Sequence, residues 1–242
     1  MRNPDAPDAP RKGAAERGDL GDAPSGGTWA LATGAGKDAT LALHRARAAG
    51  FHVPYAFNVF EGNTGLVRFH GVPESLVRAQ AQALGLELVA GQTHPRDFPT
   101  VHRALLEELR ERGVGGLVYG NIHLADVQAW YQERTRAMEL EHHEPLWGED
   151  PAALVREFLD RGYRATVTCV NLELGDPAWL GRELDGELVA EVEASGADPC
   201  GEFGEYHTFV WDGPEFRGPV DFRVGEALER DGHRFLELSP PA

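Results

Sequence analysis

The chain of 242 residues contains only two cysteines, Cys169 and Cys200. Two thiols so far apart cannot build a disulfide framework or a four-thiolate zinc site, and a reducing cytoplasm is the expected compartment. Basic side chains are also scarce, 23 against 39 acidic ones, which leaves a formal net charge of −16. Such a charge repels a nucleic-acid backbone unless a local basic patch overrides it, and neither a patch nor an RNA-binding motif is visible. Apolar runs stay short of the ~20 residues needed to cross a bilayer, and the N-terminus lacks the apolar centre of a signal peptide. Nucleic acid and membrane are therefore not expected as partners. The acidity itself implies no more than a solvated surface. There is no internal repeat. Residues 1–27 are dense in Asp, Ala, Pro and Gly with almost nothing to bury, which predicts a disordered tail dispensable for chemistry.

Against that background one stretch stands out. Gly34-Ala35-Gly36-Lys37-Asp38-Ala39 lies between a short apolar run over 28–32 and an apolar-periodic run over 41–49. It reads as a strand, a glycine-rich turn and a helix start. A helix N-terminus offers unpaired N–H groups and a partial positive charge, and small residues let a phosphate approach the backbone. A phosphorylated ligand is the first expectation. A Walker A loop fails, because Leu31 occupies its first glycine position and Asp38 follows the lysine. A dinucleotide fingerprint is satisfied by Gly34, Gly36 and Ala39, with Glu61 near the end of the next strand as the ribose-binding acid. The stretch also resembles the Ser-Gly-Gly-Lys-Asp-Ser loop of the adenine nucleotide alpha-hydrolase-like enzymes. Gly36-Lys37-Asp38 is its centre; Gly34 and Ala39 replace both serines, Ala35 replaces a glycine, and Thr33 and Thr40 put hydroxyls one position outside.

Periodicity predicts strands near 28–32, 53–59, 87–89 and 116–119, alternating with helices over 38–49, 73–84 and 99–112. Strands separated by helical patterns imply a parallel sheet with helices on its faces, an α/β architecture. Ligands in such sheets sit at the carboxyl ends of the strands, which gathers 33–39, 58–61 and Gly120-Asn121-Ile122 around one crevice. A helix over 124–141 follows. Then come a helix at 151–161, a strand at 164–170, a helix at 188–195 and strands at 208–211 and 234–238. The expected division is a nucleotide-binding domain over 28–121 and a smaller α+β domain over 122–242.

A second constellation is Cys200-Gly201-Glu202-Phe203-Gly204-Glu205-Tyr206-His207-Thr208, which packs two carboxylates, an imidazole and a hydroxyl between turn-forming glycines. Read bare, the glutamates could hold Mg²⁺ or position an amine, and His207 could shuttle a proton; a solvated acidic turn is the bland alternative. This run, with Asp198-Pro199 before it and Asp212-Gly213-Pro214-Glu215-Phe216 after it, resembles the C-terminal signature of the diphthine-ammonia ligase family. The likeness extends back through Pro145-Leu146-Trp147, Arg68-Phe69-His70-Gly71-Val72-Pro73 and Gly120-Asn121-Ile122, so it covers the chain from about Trp29 to Phe216.

The resemblance implies a nucleotide-binding α/β domain joined to a smaller family-specific domain, with the active site between them. It implies that ATP adenylates a carboxylate, releasing pyrophosphate, and that ammonia displaces AMP to leave an amide. Thr33, Gly34, Ala35, Gly36, Lys37, Asp38, Ala39, Thr40, Gly120 and Asn121 would bind the nucleotide, Lys37 offsetting phosphate charge and Asp38 holding Mg²⁺ or capping the helix. Glu202 and Glu205 would bind ammonium or take its proton, and His207 would orient the acyl adenylate. His70, Trp147, Cys200, Gly201 and Thr208 fall on the substrate side. By residue type alone His70 reads as a surface side chain, Trp147 as packing, Cys200 as a small buried hydrophobe, and His142-His143 as dipole partners of a helix end. Asn121 stands where the family has Asp, which removes a charge from the crevice. An excess of Ala, Gly, Arg and Leu with almost no Lys points to a GC-rich, bacterial-type genome, in which a carboxylate other than diphthine, protein-borne or free, would have to serve. A homodimer is a further expectation. Two other readings stay open: an ATP- or AMP-binding regulatory protein with a weakened loop, and a dinucleotide-binding oxidoreductase.

Overall fold

The computed structural model describes residues 27–94 and 97–241. The tail expected over 1–27 lies outside the described residues except for Gly27. Five parallel strands form the first sheet, β1 (Thr28–Ala32), β2 (His52–Glu61), β3 (Glu87–Thr93), β4 (Val114–Val118) and β5 (Glu141–His143), in the order β3-β2-β1-β4-β5. The helices between them are α1 (Lys37–Ala48), α2 (Glu74–Ala83), α3 (Phe98–Glu111) and α4 (Ala125–Ala137). The order reverses between β1 and β4, and the crevice at such a switch point is where ligands of open α/β sheets bind.

The second unit holds α5 (Pro151–Asp160), α6 (Gly186–Ser195) and an antiparallel sheet of β6 (Arg164–Asn171), β7 (Tyr206–Asp212), β8 (Arg223–Arg230) and β9 (His233–Ser239), in the order β7-β6-β9-β8. Strand periodicity sorts the first sheet's side chains onto two faces. Ala30, Phe57, Val59 and Leu117 pack under Leu105, Leu106 and Leu109 of α3. Trp29, Leu31 and Ala56 face α1 and α2, and this second core runs without a break into Phe158, Val167, Tyr206 and Phe209 of the other unit. Among the described residues no helix is long and apolar enough to cross a membrane.

Several elements differ from expectation. The helix predicted over 124–141 stops at Ala137, because Glu139 turns left-handed at φ 55° and Leu140 N–H bonds back to the Thr135 carbonyl at 3.1 Å. His142 and His143 therefore sit in β5, paired with Leu117 and Val118, not at a helix end. The first sheet thus runs past the boundary expected at Asn121. β8 was not expected at all: its residues are exposed throughout and show no apolar alternation. β2 starts one residue early and accommodates Pro54 where its register with β1 shifts between Thr28 and Ala30.

Gly116 explains itself through Trp29, its register partner on β1. A Cβ there would lie 2.4 Å from the indole, which meets Phe51 edge-on with centroids 4.7 Å apart. Gly116→Ala is expected to lower unfolding stability by about 1–3 kcal/mol through overpacking. Urea denaturation measures this, and an unchanged midpoint would refute the packing assignment.

Candidate functional site at the crossing of β1 and β4

The chain leaves β1 and enters α1 through Thr33-Gly34-Ala35-Gly36. Ala35 is left-handed at φ 64°, which costs an L residue about 1–2 kcal/mol. Three hydrogen bonds hold it there. Thr33 Oγ1 accepts the Ala35 N–H at 2.9 Å, and the Ala35 carbonyl accepts Val210 N–H and Gln80 Nε2–H, each at 2.9 Å. The loop is thereby stitched to β7 of the second unit. Thr40 Oγ1 donates to the Gly36 carbonyl at 3.0 Å. Both flanking threonines bond loop backbone, but Thr33 only accepts in doing so and keeps its hydroxyl proton for a ligand.

Lys37 is 3% exposed. Its N–H donates to Thr208 Oγ1 at 3.1 Å. Its Nζ donates to the Cys200 carbonyl and, at 2.9 Å, to Asp38 Oδ2, and lies 5.1 Å from the centre of the Tyr206 ring. Burial is the largest influence and opposes its charge, yet Asp38, Tyr206 and Cys200 together outweigh burial and hold the lysine above its ordinary range. The ammonium therefore ties the glycine loop to the 200–208 turn and does not line the crevice. Asp38 does line it, with 30% of its side chain exposed. Burial raises its carboxyl and Lys37 pulls it back.

The crevice is a cavity of about 260 Å³, near the lower bound of about 300 Å³ for small-molecule pockets. Of the expected residues, Thr33, Gly34, Gly36, Asp38, Ala39, His70, Gly120 and Asn121 line it. Gly120 passes against the first turn of α1, where a Cβ would lie 2.8 Å from Ala39 N. Asn121 Nδ2 donates to Glu144 Oε1 at 2.5 Å. A buried carboxylate thus stands behind the amide, outside the crevice lining.

His70 is not a surface side chain. Its Nδ1 lies 3.2 Å from the Thr208 carbonyl, which assigns the proton to Nδ1 and a lone pair to Nε2. A Cβ on Gly34 would meet Nε2 at 3.0 Å, and one on Gly36 would meet Cε1 at 2.8 Å, so both glycines admit the imidazole. Burial pushes His70 down to about 4. The His207 ring packs 4.5 Å away and burial lowers it well below the usual range, with His70 as the next cause.

The two glutamates have different surroundings. Glu205 accepts Asp198 N–H through Oε1 and Phe203 N–H through Oε2, both at 3.0 Å. With both oxygens engaged it organises the turn, which corrects its expected place beside an ammonium. Glu202 Oε1 accepts Ile122 N–H at 3.0 Å and His123 N–H at 3.3 Å, joining the turn to the exit of β4. Burial, then the charge of Asp38, raises its carboxyl. The left-handed Gly201 leaves no room for a Cβ, which would lie 2.7 Å from the Tyr206 carbonyl. Cys200 is buried, its thiol pushed up by burial and donating to the Pro151 carbonyl at 3.2 Å. Trp147 is outside the lining. So is Glu61, which the dinucleotide reading needs; it accepts Thr64 Oγ1 at 3.0 Å and faces Arg230 at 3.5 Å.

Phe57, Phe98, His102, Tyr119 and Tyr131 complete the cavity wall and carry no motif. On α3, His102 shares the apolar face of Leu105, Leu106 and Leu109, so periodicity could only have marked it as buried. A wider groove of about 600 Å³, between Leu66, Gly71 and the β8–β9 hairpin, contains none of the expected residues.

The diphthamide synthase N-terminal domain matches residues 27–141, and the diphthamide synthase C-terminal domain matches residues 150–234. A diphthine–ammonia ligase of Danio rerio is 26% identical over 173 residues, which are 69% of this chain and 68% of that relative.

Burial holds His102, 2% exposed, down to about 4, with Arg134 as the lesser cause. A histidine kept neutral by folding binds its proton more readily unfolded, so its stability contribution is full above pH 6.5 and falls as pH drops towards 4. For His102 that loss is on the order of 3 kcal/mol. Denaturant titrations from pH 7.5 to 4.5 should show His102→Leu with a shallower decline than wild type; parallel slopes would contradict the assignment.

Proposed function

The chain belongs to the diphthamide synthase family, and from that premise we propose that it uses ATP to adenylate a carboxylate and transfers ammonia to the activated carbonyl, forming an amide. In the first step a carboxylate oxygen attacks the α-phosphorus and pyrophosphate leaves. In the second, ammonia attacks the carbonyl carbon, AMP leaves, and the nitrogen gives up a proton. The observation that carries the reading is the bond from Lys37 to Cys200, which joins a phosphate-type loop to the 200–208 turn across 163 positions of sequence.

The Asp38 and Ala39 N–H groups at the start of α1 and the Thr33 hydroxyl receive the phosphates, and the Lys37 charge adds to the positive end of the helix. Mg²⁺ fits this frame through Asp38. Among the described residues no cluster of three or more His, Cys, Asp or Glu could hold a metal alone, so phosphate and water would complete the shell. Bound there, the ion would supply charge neutralisation to the pyrophosphate leaving group. Glu202, with its raised carboxyl, takes the proton that ammonia releases. His70, held neutral, presents its Nε2 lone pair beside Gly34 and orients the activated acid. The Danio rerio relative is named for diphthine and ammonia; for this chain we assign ammonia as the nitrogen donor and an acid, protein-borne or free, as the acceptor.

A second reading, a nucleotide-binding regulatory protein without catalysis, is favoured by one feature of the loop. Gly34 and Ala39 carry no hydroxyl, and Thr40 turns its own inward.

The test is incubation with ATP, Mg²⁺, ammonium and a panel of carboxylates. AMP and pyrophosphate should form only when an acid is accepted, and ADP would contradict the mechanism. Glu202→Gln should lower turnover by about 10²- to 10⁴-fold while thermal stabilisation by ATP persists. Stabilisation by ATP without turnover on any acid would favour the regulatory reading.

A further inference from the structure

β8 ends the second sheet, and among the described residues no strand pairs with its outer side. All of its residues are exposed, Val224 at 58% and Leu228 at 48% among them. A strand that buries neither face and leaves a row of N–H and C=O groups unpaired is a template for another strand. Which strand suits it follows from the faces its side chains occupy. Val224 pairs with Leu238 and Ala227 with Leu236, so Gly225 and Glu226 both stand opposite Glu237 in a bulge. After the bulge Leu228 pairs with Phe235 and Arg230 with His233. Glu237, Phe235 and His233 alternate onto one face of β9, and their partners Glu226, Leu228 and Arg230 share that face. Leu228 and Arg230 line the wider groove there, opposite Leu66 and Gly71.

We infer that β8 pairs with the β8 of a second copy, antiparallel about a two-fold axis through Leu228, joining the two outer sheets into one. That axis sets Leu228 against Leu228, with Glu226 opposite Arg230 on one side and Arg230 opposite Glu226 on the other. An apolar contact at the centre is thus flanked by two pairs of opposite charge, the cross-strand combinations that stabilise a sheet. On the other face Ala227 opposes Glu229, so no like charges meet. Arg230 also faces Glu61 at 3.5 Å and lies over the Phe235 ring, yet 45% of its side chain is exposed and its guanidinium has donors left for a second acid. Moving the axis by one residue would set Leu228 against Glu226 or against Arg230 and lose both ion pairs, so the pattern specifies a single register. With a net charge of −16 on each copy, general repulsion opposes association, and a contact in which each acid meets a base offsets it locally. The floor of the groove would run on from one copy into the other. This assignment does not depend on the ATP reading.

Light scattering on the full chain over a range of concentrations should show reversible association to twice the chain mass. Leu228→Lys should weaken it on the order of 10- to 100-fold, because like charges then oppose each other at the axis, and should melt as dilute wild type does. Glu226→Arg should also weaken association, and combining it with Arg230→Glu should restore it. Oxidation reads the register, since Cys169 and Cys200 are buried. Leu228→Cys faces its own copy within disulfide reach and should crosslink. Val224→Cys, exposed as well but about 27 Å from its counterpart at ~3.4 Å per residue, should not. A wild type that stays monomeric at every concentration would overturn the inference. So would association indifferent to Leu228→Lys, a double exchange no better than Glu226→Arg alone, or crosslinking as ready at Val224→Cys as at Leu228→Cys. A Leu228→Lys chain that melts well below dilute wild type would overturn it too, by showing that Leu228 packs within its own chain.

Discussion

The Lys37 ammonium is the contact on which the arrangement of the two units depends. It sits where the loop after β1, the start of α1 and the 200–208 turn meet, bonded to Asp38 and to the Cys200 carbonyl beneath the Tyr206 ring. A charge so deeply buried persists only if its partners compensate for lost water, and here a carboxylate, a carbonyl and an aromatic face do so. Removing the Asp38 carboxylate would leave the buried ammonium without its counter-charge. On either side, the Val210 N–H donates to the Ala35 carbonyl and the Lys37 N–H to the Thr208 hydroxyl along the same seam.

The sheet order provides the other constraint. Reversal between β1 and β4 leaves a gap at their carboxyl ends, and Gly120 lets the two loops approach so closely that a Cβ would collide with α1. The second unit then packs over α1 and α2 through a continuous core, so its turn reaches the gap from one side only. The opposite side is closed by α3 and α4, which bring aromatic residues. One cavity therefore combines a glycine loop, a carboxylate and an aromatic wall. Three unpartnered buried nitrogens, on His102 and Asn58, belong to side chains of its wall, and the left-handed Ala35 lies in the loop beside it. Such departures from local consistency are typical of functional sites.

Reading the sequence alone recovered most elements of both sheets, because amphipathic periodicity and turn residues are local signals. It also singled out both constellations and the family resemblance, since Gly-Lys-Asp and the 200–208 run are contiguous. It misjudged β5, whose three residues follow a helical pattern and pair only because β4 has an open edge. It missed β8, which buries no face. It could not distinguish Glu202 from Glu205: both are acids in one glycine-rich turn, and only the fold decides that one receives the turn's own N–H groups while the other reaches Ile122 and His123.

What the sequence by itself determined is therefore the list of parts: an α/β half with a phosphate-type loop, a second mixed half with an acidic turn, and membership of one family. Tertiary structure alone decided which parts touch. Lys37 turns from the expected phosphate to the Cys200 carbonyl, His70 moves from the surface onto the glycines, Asn121 is held from behind by Glu144, and His102 enters the cavity wall. Each depends on contacts between residues distant in the chain, and neither spacing nor composition encodes the direction in which a side chain points once two sheets have packed.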